Sequence, residues 1–193
     1  MSVIVGTAPA AELIRRSDEL TALYREVFAI APYFEPPEAV AGFADRLLQH
    51  AERRDFRAVL ALDGERLIGA AYGYRGEPGQ WWHDVVRRVL APEVAAWWLA
   101  DSFEVVQIAV HPDHHGRGIG GRLHDTLIAE VPNRTAVLTT SQLESPATYL
   151  YRSRGWTKLH HRLVFPDGSV AFSVYGLEPR AVGRRQSGNR TAV

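Results

Sequence analysis

Four glycines fall within one short run, His115-Gly116-Arg117-Gly118-Ile119-Gly120-Gly121. They follow Phe103–Val110, a stretch almost wholly apolar or β-favouring that reads as a buried central strand. They precede Ile119, Leu123, Leu127 and Ile128, which recur at helical spacing. A strand that turns through glycines into a helix start exposes backbone N–H groups that lack internal partners and carry partial positive charge. Without a Cβ, glycine lets an anion come close to that backbone. The combination predicts a cradle for a phosphate or diphosphate made by His115, Gly116, Arg117, Gly118, Ile119, Gly120 and Gly121, with Arg117 adding a charge-assisted contact. It is not the nucleotide P-loop, which ends Gly-Lys-Ser/Thr where this run ends Gly120-Gly121-Arg122-Leu123. A glycine-rich strand-to-helix corner with no ligand is the alternative reading of the same spacing.

Other elements must hold this corner in place. Residues 3–7 are expected as a first strand. Residues 11–30 are expected as one helix bearing Leu13, Ile14, Leu20, Leu23, Val27 and Ile30, stopped at Pro32. Pro36 and Pro37 open a second helix with Val40, Phe43, Ala44, Leu47, Leu48 and Ala51 on one face. Arg57–Leu62 and Arg66–Tyr74 form a hairpin across Asp63-Gly64. Residues 76–102 carry Trp81, Trp82, Val85, Val86, Val89 and Leu90, then Pro92, then Val94, Trp97, Trp98 and Leu99, again at helical spacing. After the corner come a strand at 134–140, a short helix at 146–154 capped by Gly155, and a hairpin of 158–165 with 170–177 across Pro166–Ser169. The polar tail from residue 179 is expected to be disordered, which leaves residues 1–178 as one α/β domain.

Composition narrows the partners. Lys+Arg and Asp+Glu balance at 22 each, so no net charge draws the chain to nucleic acid or to an anionic membrane, and neither partner is expected. The absence of cysteine excludes disulfides, thiolate metal sites and a cysteine nucleophile. No signal-peptide core and no apolar run of about 20 residues is present, so a cytoplasmic location is expected.

At two places the chain resembles the GCN5-related N-acetyltransferase (GNAT) family. That family's signature is Gln/Arg-x-x-Gly-x-Gly/Ala after a strand ending near Val-x-Pro. Here Val110-His111-Pro112 leads to His115-Gly116-Arg117-Gly118-Ile119-Gly120, with His115 beside the loop in place of the usual Gln or Arg. Downstream, the family's Ala-x-x-Leu/Phe-Tyr-x-x-x-Gly-Phe is matched by Ala147, Leu150, Tyr151, Gly155 and Trp156, and an Asn common upstream is Glu144. The resemblance covers most of residues 3–177 but not the Trp-rich segment. It implies a mixed, mostly antiparallel sheet flanked by helices. It also implies direct acetyl transfer from acetyl-CoA, as co-substrate and without a metal, to an amine.

The resemblance further implies site roles. The pantetheine arm would lie along backbone groups of Ile108, Ala109 and Val110, one N–H of which would polarise the thioester carbonyl. Tyr151 would protonate the leaving thiolate; the alternative is a core tyrosine. An ammonium must lose a proton before it attacks, and Glu104 is the candidate base, because a carboxylate on an apolar strand is costly without a task or a partner. Its alternative is a strand-end Glu that faces solvent or pairs with an Arg. A small-molecule amine is the expected acceptor. A protein lysine or N-terminus is the runner-up, and a non-catalytic acyl-CoA-binding domain a third reading.

The remaining features point less sharply. His111, His114, His115, His124, His160 and His161 lack metal-ligand spacing, and the first three are expected to face solvent in a polar turn. The pairs Trp81-Trp82 and Trp97-Trp98 would line an acceptor pocket, or bury in the core or a homodimer interface. Asp84, Glu93 and Asp101 are expected on a solvated helix face. Arg184, Arg185 and Arg190 make a weak footprint for nucleic acid.

Overall fold

The computed structural model describes residues 3–29, 33–165 and 170–179. Pro32, the turn 166–169 and the tail from 180 onward lie outside the described residues. The elements are β1 (Ile4–Ala8), α1 (Ala10–Arg15), α2 (Ser17–Phe28), α3 (Pro37–Ala41), α4 (Phe43–Ala51), β2 (Arg57–Asp63), β3 (Arg66–Gly76), α5 (Trp81–Val89), α6 (Pro92–Trp98), β4 (Ser102–Val110), α7 (Ile119–Ile128), β5 (Thr135–Ser141), α8 (Pro146–Ser153), β6 (Thr157–Val164) and β7 (Ala171–Leu177). The strands form one seven-stranded sheet in the order β1-β2-β3-β4-β5-β7-β6. The β4–β5 pair is parallel, and the β1–β2, β2–β3, β5–β7 and β6–β7 pairs are antiparallel. The expected mixed, mostly antiparallel sheet with flanking helices is what the chain adopts.

Two compact units share the chain. One is the chain up to Tyr74 with Val105–Leu127; the other is Arg75–Glu104 with the chain from Ile128 onward. In the first, Leu13, Leu20 and Leu23 of α1 and α2 pack with Phe43 and Leu47 of α4 onto Leu60, Ala70, Tyr72 and Ala109 of the strands. Each leucine or phenylalanine so buried contributes about 1.5–3 kcal/mol. The hydrophobic spacing over 11–30 predicts one helix, but the chain forms two. It breaks at Arg16 (φ −97, ψ 19), whose amide donates back to the Glu12 and Leu13 carbonyls. The Arg16 guanidinium reaches Glu12 at 2.7 Å and Glu19 at 3.0 Å across the break. Hydrogen bonds from Arg15 and then Arg16 hold the Glu12 carboxyl down at about 2. The second expected helix is also divided, at Gly42, and Leu48 points to solvent rather than to the core.

In the second unit, Val85, Val86 and Leu90 of α5 and Ala95 of α6, with Leu99 just beyond it, pack on Val137, Leu163 and Val174 of β5, β6 and β7. Gly176 makes room for Trp98: a Cβ there would stand 2.5 Å from two carbons of the indole. Asp101, expected on a solvated face, is instead a tie point. Its carboxylate accepts from Arg75 (2.7 Å), Asn133 (2.9 Å) and the Arg134 amide (3.0 Å), fastening the starts of β4 and β5.

Candidate active site

The glycine corner is built from β4 outward. The His111 amide donates to the Ile68 carbonyl at 2.9 Å, fixing the end of β4 against β3. Pro112–His114 then makes one 3₁₀ turn, in which His111 Nδ1 accepts from the Asp113 amide at 3.2 Å. His111 Nε2 lies 2.7 Å from the Glu26 carboxylate and 3.3 Å from Arg66 Nη2. His111 is thus engaged and His114 is buried, so two of the three turn histidines do not face solvent as expected. His115 is exposed, but its ring folds back and Nε2–H donates to the Val110 carbonyl at 2.8 Å. That bond occupies one of the backbone groups expected to meet the pantetheine arm.

The loop itself needs its glycines at two places. Gly116 (φ +73) and Gly118 (φ +72) take the left-handed conformation, with open space where a Cβ would stand. Ile119, Leu123 and Leu127 are buried and anchor α7 beneath the loop, and Arg122 ties α7 to the Val3 carbonyl at 3.2 Å. The amides of Gly116, Arg117, Gly118, Ile119, Gly120 and Gly121 make no hydrogen bond to any described residue, whereas the next amide, of Arg122, returns to the Gly118 carbonyl at 3.1 Å. Alternating left-handed residues that converge unspent N–H groups at a helix start form an anion-binding nest. The residues present fit a diphosphate.

Glu104 and Tyr151 belong to the second unit, whereas Ile108–Val110 and the loop belong to the first. Glu104 is 3% exposed, so the solvent-facing alternative is excluded. It pairs in register with Val137, which packs under α5 and α6, so the Glu104 carboxylate lies on the sheet face those helices cover. Trp82 of α5 donates its indole N–H to Thr139 of the same face at 3.1 Å. Trp82 and Trp98 are packing residues, while Trp81 and Trp97 are exposed at 58% and 47%. Tyr151 is buried edge-to-face against Trp156, with ring centroids 5.6 Å apart. It is placed by α8, which starts in a Ser145–Thr148 capping box with Pro146 at its first position and ends before Gly155 at φ +80. Glu144 pairs with Arg152 at 2.8 Å. Among the buried polar residues that sequence reasoning did not single out is His83 of α5, beside Asp84. Its only sequence signal is a histidine at a position of the apolar helix face. Among the described residues, no three His, Cys, Asp or Glu side chains are grouped to hold a metal ion, and no helix is long and apolar enough to cross a membrane.

The family model for GNAT acetyltransferases matches residues 18–156, the span that contains the corner, Glu104 and Tyr151. The chain belongs to the GNAT acetyltransferase family. This GNAT chain is 31% identical over 150 residues to a GCN5-like protein acetyltransferase of Mycobacterium tuberculosis, covering 72% of this chain and 73% of that one. Among solved structures, it is similar to a GNAT-family acetyltransferase of Desulfovibrio desulfuricans (TM-score 0.65, 17% identity, 92% of this chain and 99% of that chain). It is also similar to a Salmonella typhimurium acetyltransferase crystallised with acetyl-CoA (TM-score 0.57, 15% identity, 93% and 95%). At such identities the two structures speak for the fold alone. Membership makes the chain an acetyl-CoA-dependent acyltransferase in general terms, and the open nest on α7 is where a GNAT protein of this sequence has amides to spare.

Proposed function

We propose that this GNAT chain transfers the acetyl group of acetyl-CoA to a primary amine of a small molecule, directly and without a covalent enzyme intermediate. The observation that carries the reading is the set of unspent amides from Gly116 to Gly121 at the start of α7. These amides would grip the diphosphate, with Arg117 alongside. Backbone of Ile108, Ala109 and Val110 would receive the pantetheine arm. The bound donor supplies a thioester carbonyl activated toward nucleophiles. Glu104 takes a proton from the amine, and Tyr151 gives one to the departing sulfur. A base lying under α5 and α6 at 3% exposure suits a small amine better than a lysine on a folded surface, which needs an open groove. The name of the mycobacterial relative favours a second reading, acetylation of a protein lysine or N-terminus.

The test is thiol release from acetyl-CoA with a panel of amines and peptides. Small amines should turn over at higher kcat/KM than lysyl peptides. Glu104→Gln should lower kcat by about 10²–10⁴-fold, the range of a positioned base. Coenzyme A binding with no acetylated amine or peptide would leave a binding domain without chemistry.

A further inference from the structure

A base buried under helices has a second problem once it has taken a proton: the proton must leave before the next turnover. Glu104 is 3% exposed and cannot release it directly to bulk water. The sheet face it shares with Ser102 offers a path. Ser102 and Glu104 are two residues apart on β4, so their side chains share a face about 7 Å apart. Ser102 and His83 of α5 both close on Gly76 of β3: a Cβ there would meet Ser102 Oγ at 2.7 Å and His83 Cδ2 at 3.6 Å. The imidazole is 2% exposed. Its Nδ1 lies 3.3 Å from the Asp84 carboxylate, and its Nε2, bonded to that same Cδ2, is buried with no hydrogen-bond partner. Asp84 is 37% exposed at the side chain, and the Gly79 amide (3.2 Å) and then His83 hold its carboxyl below the usual range. A partly exposed ionised carboxylate, a buried imidazole 3.3 Å from it and a buried ring nitrogen without a hydrogen-bond partner make a proton conductor. The other charge near Asp84 is Arg88, which is exposed.

We propose that His83 and Asp84 form the proton exit for Glu104. The inference rests on the acetyl-transfer reading, in which Glu104 is the base. Glu104 breaks the N–H bond of the ammonium and becomes a carboxylic acid. That proton passes, across one water, to His83 Nε2, the Nδ1 proton leaves through Asp84 to solvent, and a flip of the imidazole ring returns its remaining N–H to Asp84 for the next turnover. One proton moves from amine to bulk and no electron changes hands. His83 touches neither amine nor donor, so it is a positioning and relay residue. It lies in the Trp-rich segment that carries no family motif.

The experiment compares the wild-type chain with His83→Gln and Asp84→Asn in weak buffer, following thiol release with the best amine of the panel. Coenzyme A titration calorimetry verifies that each variant is folded. The relay predicts kcat lowered by about 10- to 100-fold in His83→Gln with KM for acetyl-CoA unchanged, and a lesser loss in Asp84→Asn. It also predicts that added imidazole restores kcat in His83→Gln and does nothing for Glu104→Gln. A structural role alone would not be rescued by a soluble proton carrier. Unchanged kcat in both variants, or a loss that imidazole leaves untouched, overturns the relay while acetyl transfer stands. A wild-type chain that acetylates nothing overturns both together. Asp84→Asn, at a half-exposed position, keeps the test decisive should His83→Gln fail to fold.

Discussion

Gly118→Ala separates the backbone nest from every other part of the donor site. Gly118 has φ +72 and nothing within 4 Å of the point where a Cβ would stand. The substitution therefore causes no clash, and its cost to folding is the left-handed conformation alone, about 1–2 kcal/mol. Relaxing that strain rotates the peptide planes on either side, which carry the amides of Gly118 and Ile119. Each amide hydrogen bond to a charged oxygen contributes about 1.5–3 kcal/mol, so loss of one weakens coenzyme A binding by about 10- to 150-fold. Calorimetry with coenzyme A and with pantetheine, which lacks the diphosphate, supplies the discrimination. Coenzyme A affinity should fall by that factor while pantetheine affinity stays within about twofold, well under the 1.4 kcal/mol that a tenfold change represents. Equal losses for the two ligands, or none for either, would refute the nest as the diphosphate site.

Tyr151→Phe keeps the ring against Trp156 and removes only the hydroxyl, so kcat should drop about 10²–10⁴-fold with KM for acetyl-CoA unchanged. His50 lies beside Tyr72, and burial, followed by the Arg53 and Arg46 cations, pushes it down to about 4. Its folded value is below the unfolded 6.5, so the stability it contributes is complete above pH 6.5 and is lost as pH falls from there toward 4. Urea midpoints should decline over that window, and His50→Phe should flatten the decline. Gly176→Ala forces a Cβ into the Trp98 indole and should destabilise by about 1–3 kcal/mol, partly recovered in the double variant with Trp98→Leu. Asp101→Asn weakens three hydrogen bonds at the start of β4 and β5 and should cost about 1–2 kcal/mol in chemical denaturation.

What could be read from the residues alone follows from how local each signal is. The β4–loop–α7 corner was legible because a run of β-favouring residues, glycines and a 3.6-residue period succeed one another without interruption. The hairpin β2–β3 and the helix α8 were legible for the same reason, through Gly64 at φ +62 and Gly155 at φ +80. Glycine spacing by itself was less decisive. Gly116, Gly118 and Gly121 also satisfy the dinucleotide pattern G-x-G-x-x-G, and only the second motif around Tyr151 points to a different ligand. The breaks at Arg16 and Gly42 left no mark in the hydrophobic period, because the apolar residues keep their phase across both. His114 reads as a polar turn residue, yet tertiary packing buries it and turns its ring edge-on to His111. No local pattern encodes that.

The position of α5 and α6 bears on which part of this chain decides its chemistry. The proposed donor nest is made of backbone, and any sequence with glycines at those φ values can supply it. Glu104 also lies on an ordinary buried strand, where its register with Val137 is enough to fix the face it occupies. What is particular to this chain is the cover over that face. Trp82 locks α5 onto Thr139, Trp98 fills the space that Gly176 leaves, and His83 and Ser102 both close on Gly76. If Glu104 is the base, as proposed, this cover governs both which amine can approach it and how its proton departs. Exchanging residues 81–98 for a helix pair of equal length with alanine at 83 should therefore change amine preference and the response to imidazole together, while coenzyme A affinity holds. If amine preference moved and the imidazole response did not, selection and proton exit would reside in different residues, and the relay through His83 would have to be abandoned.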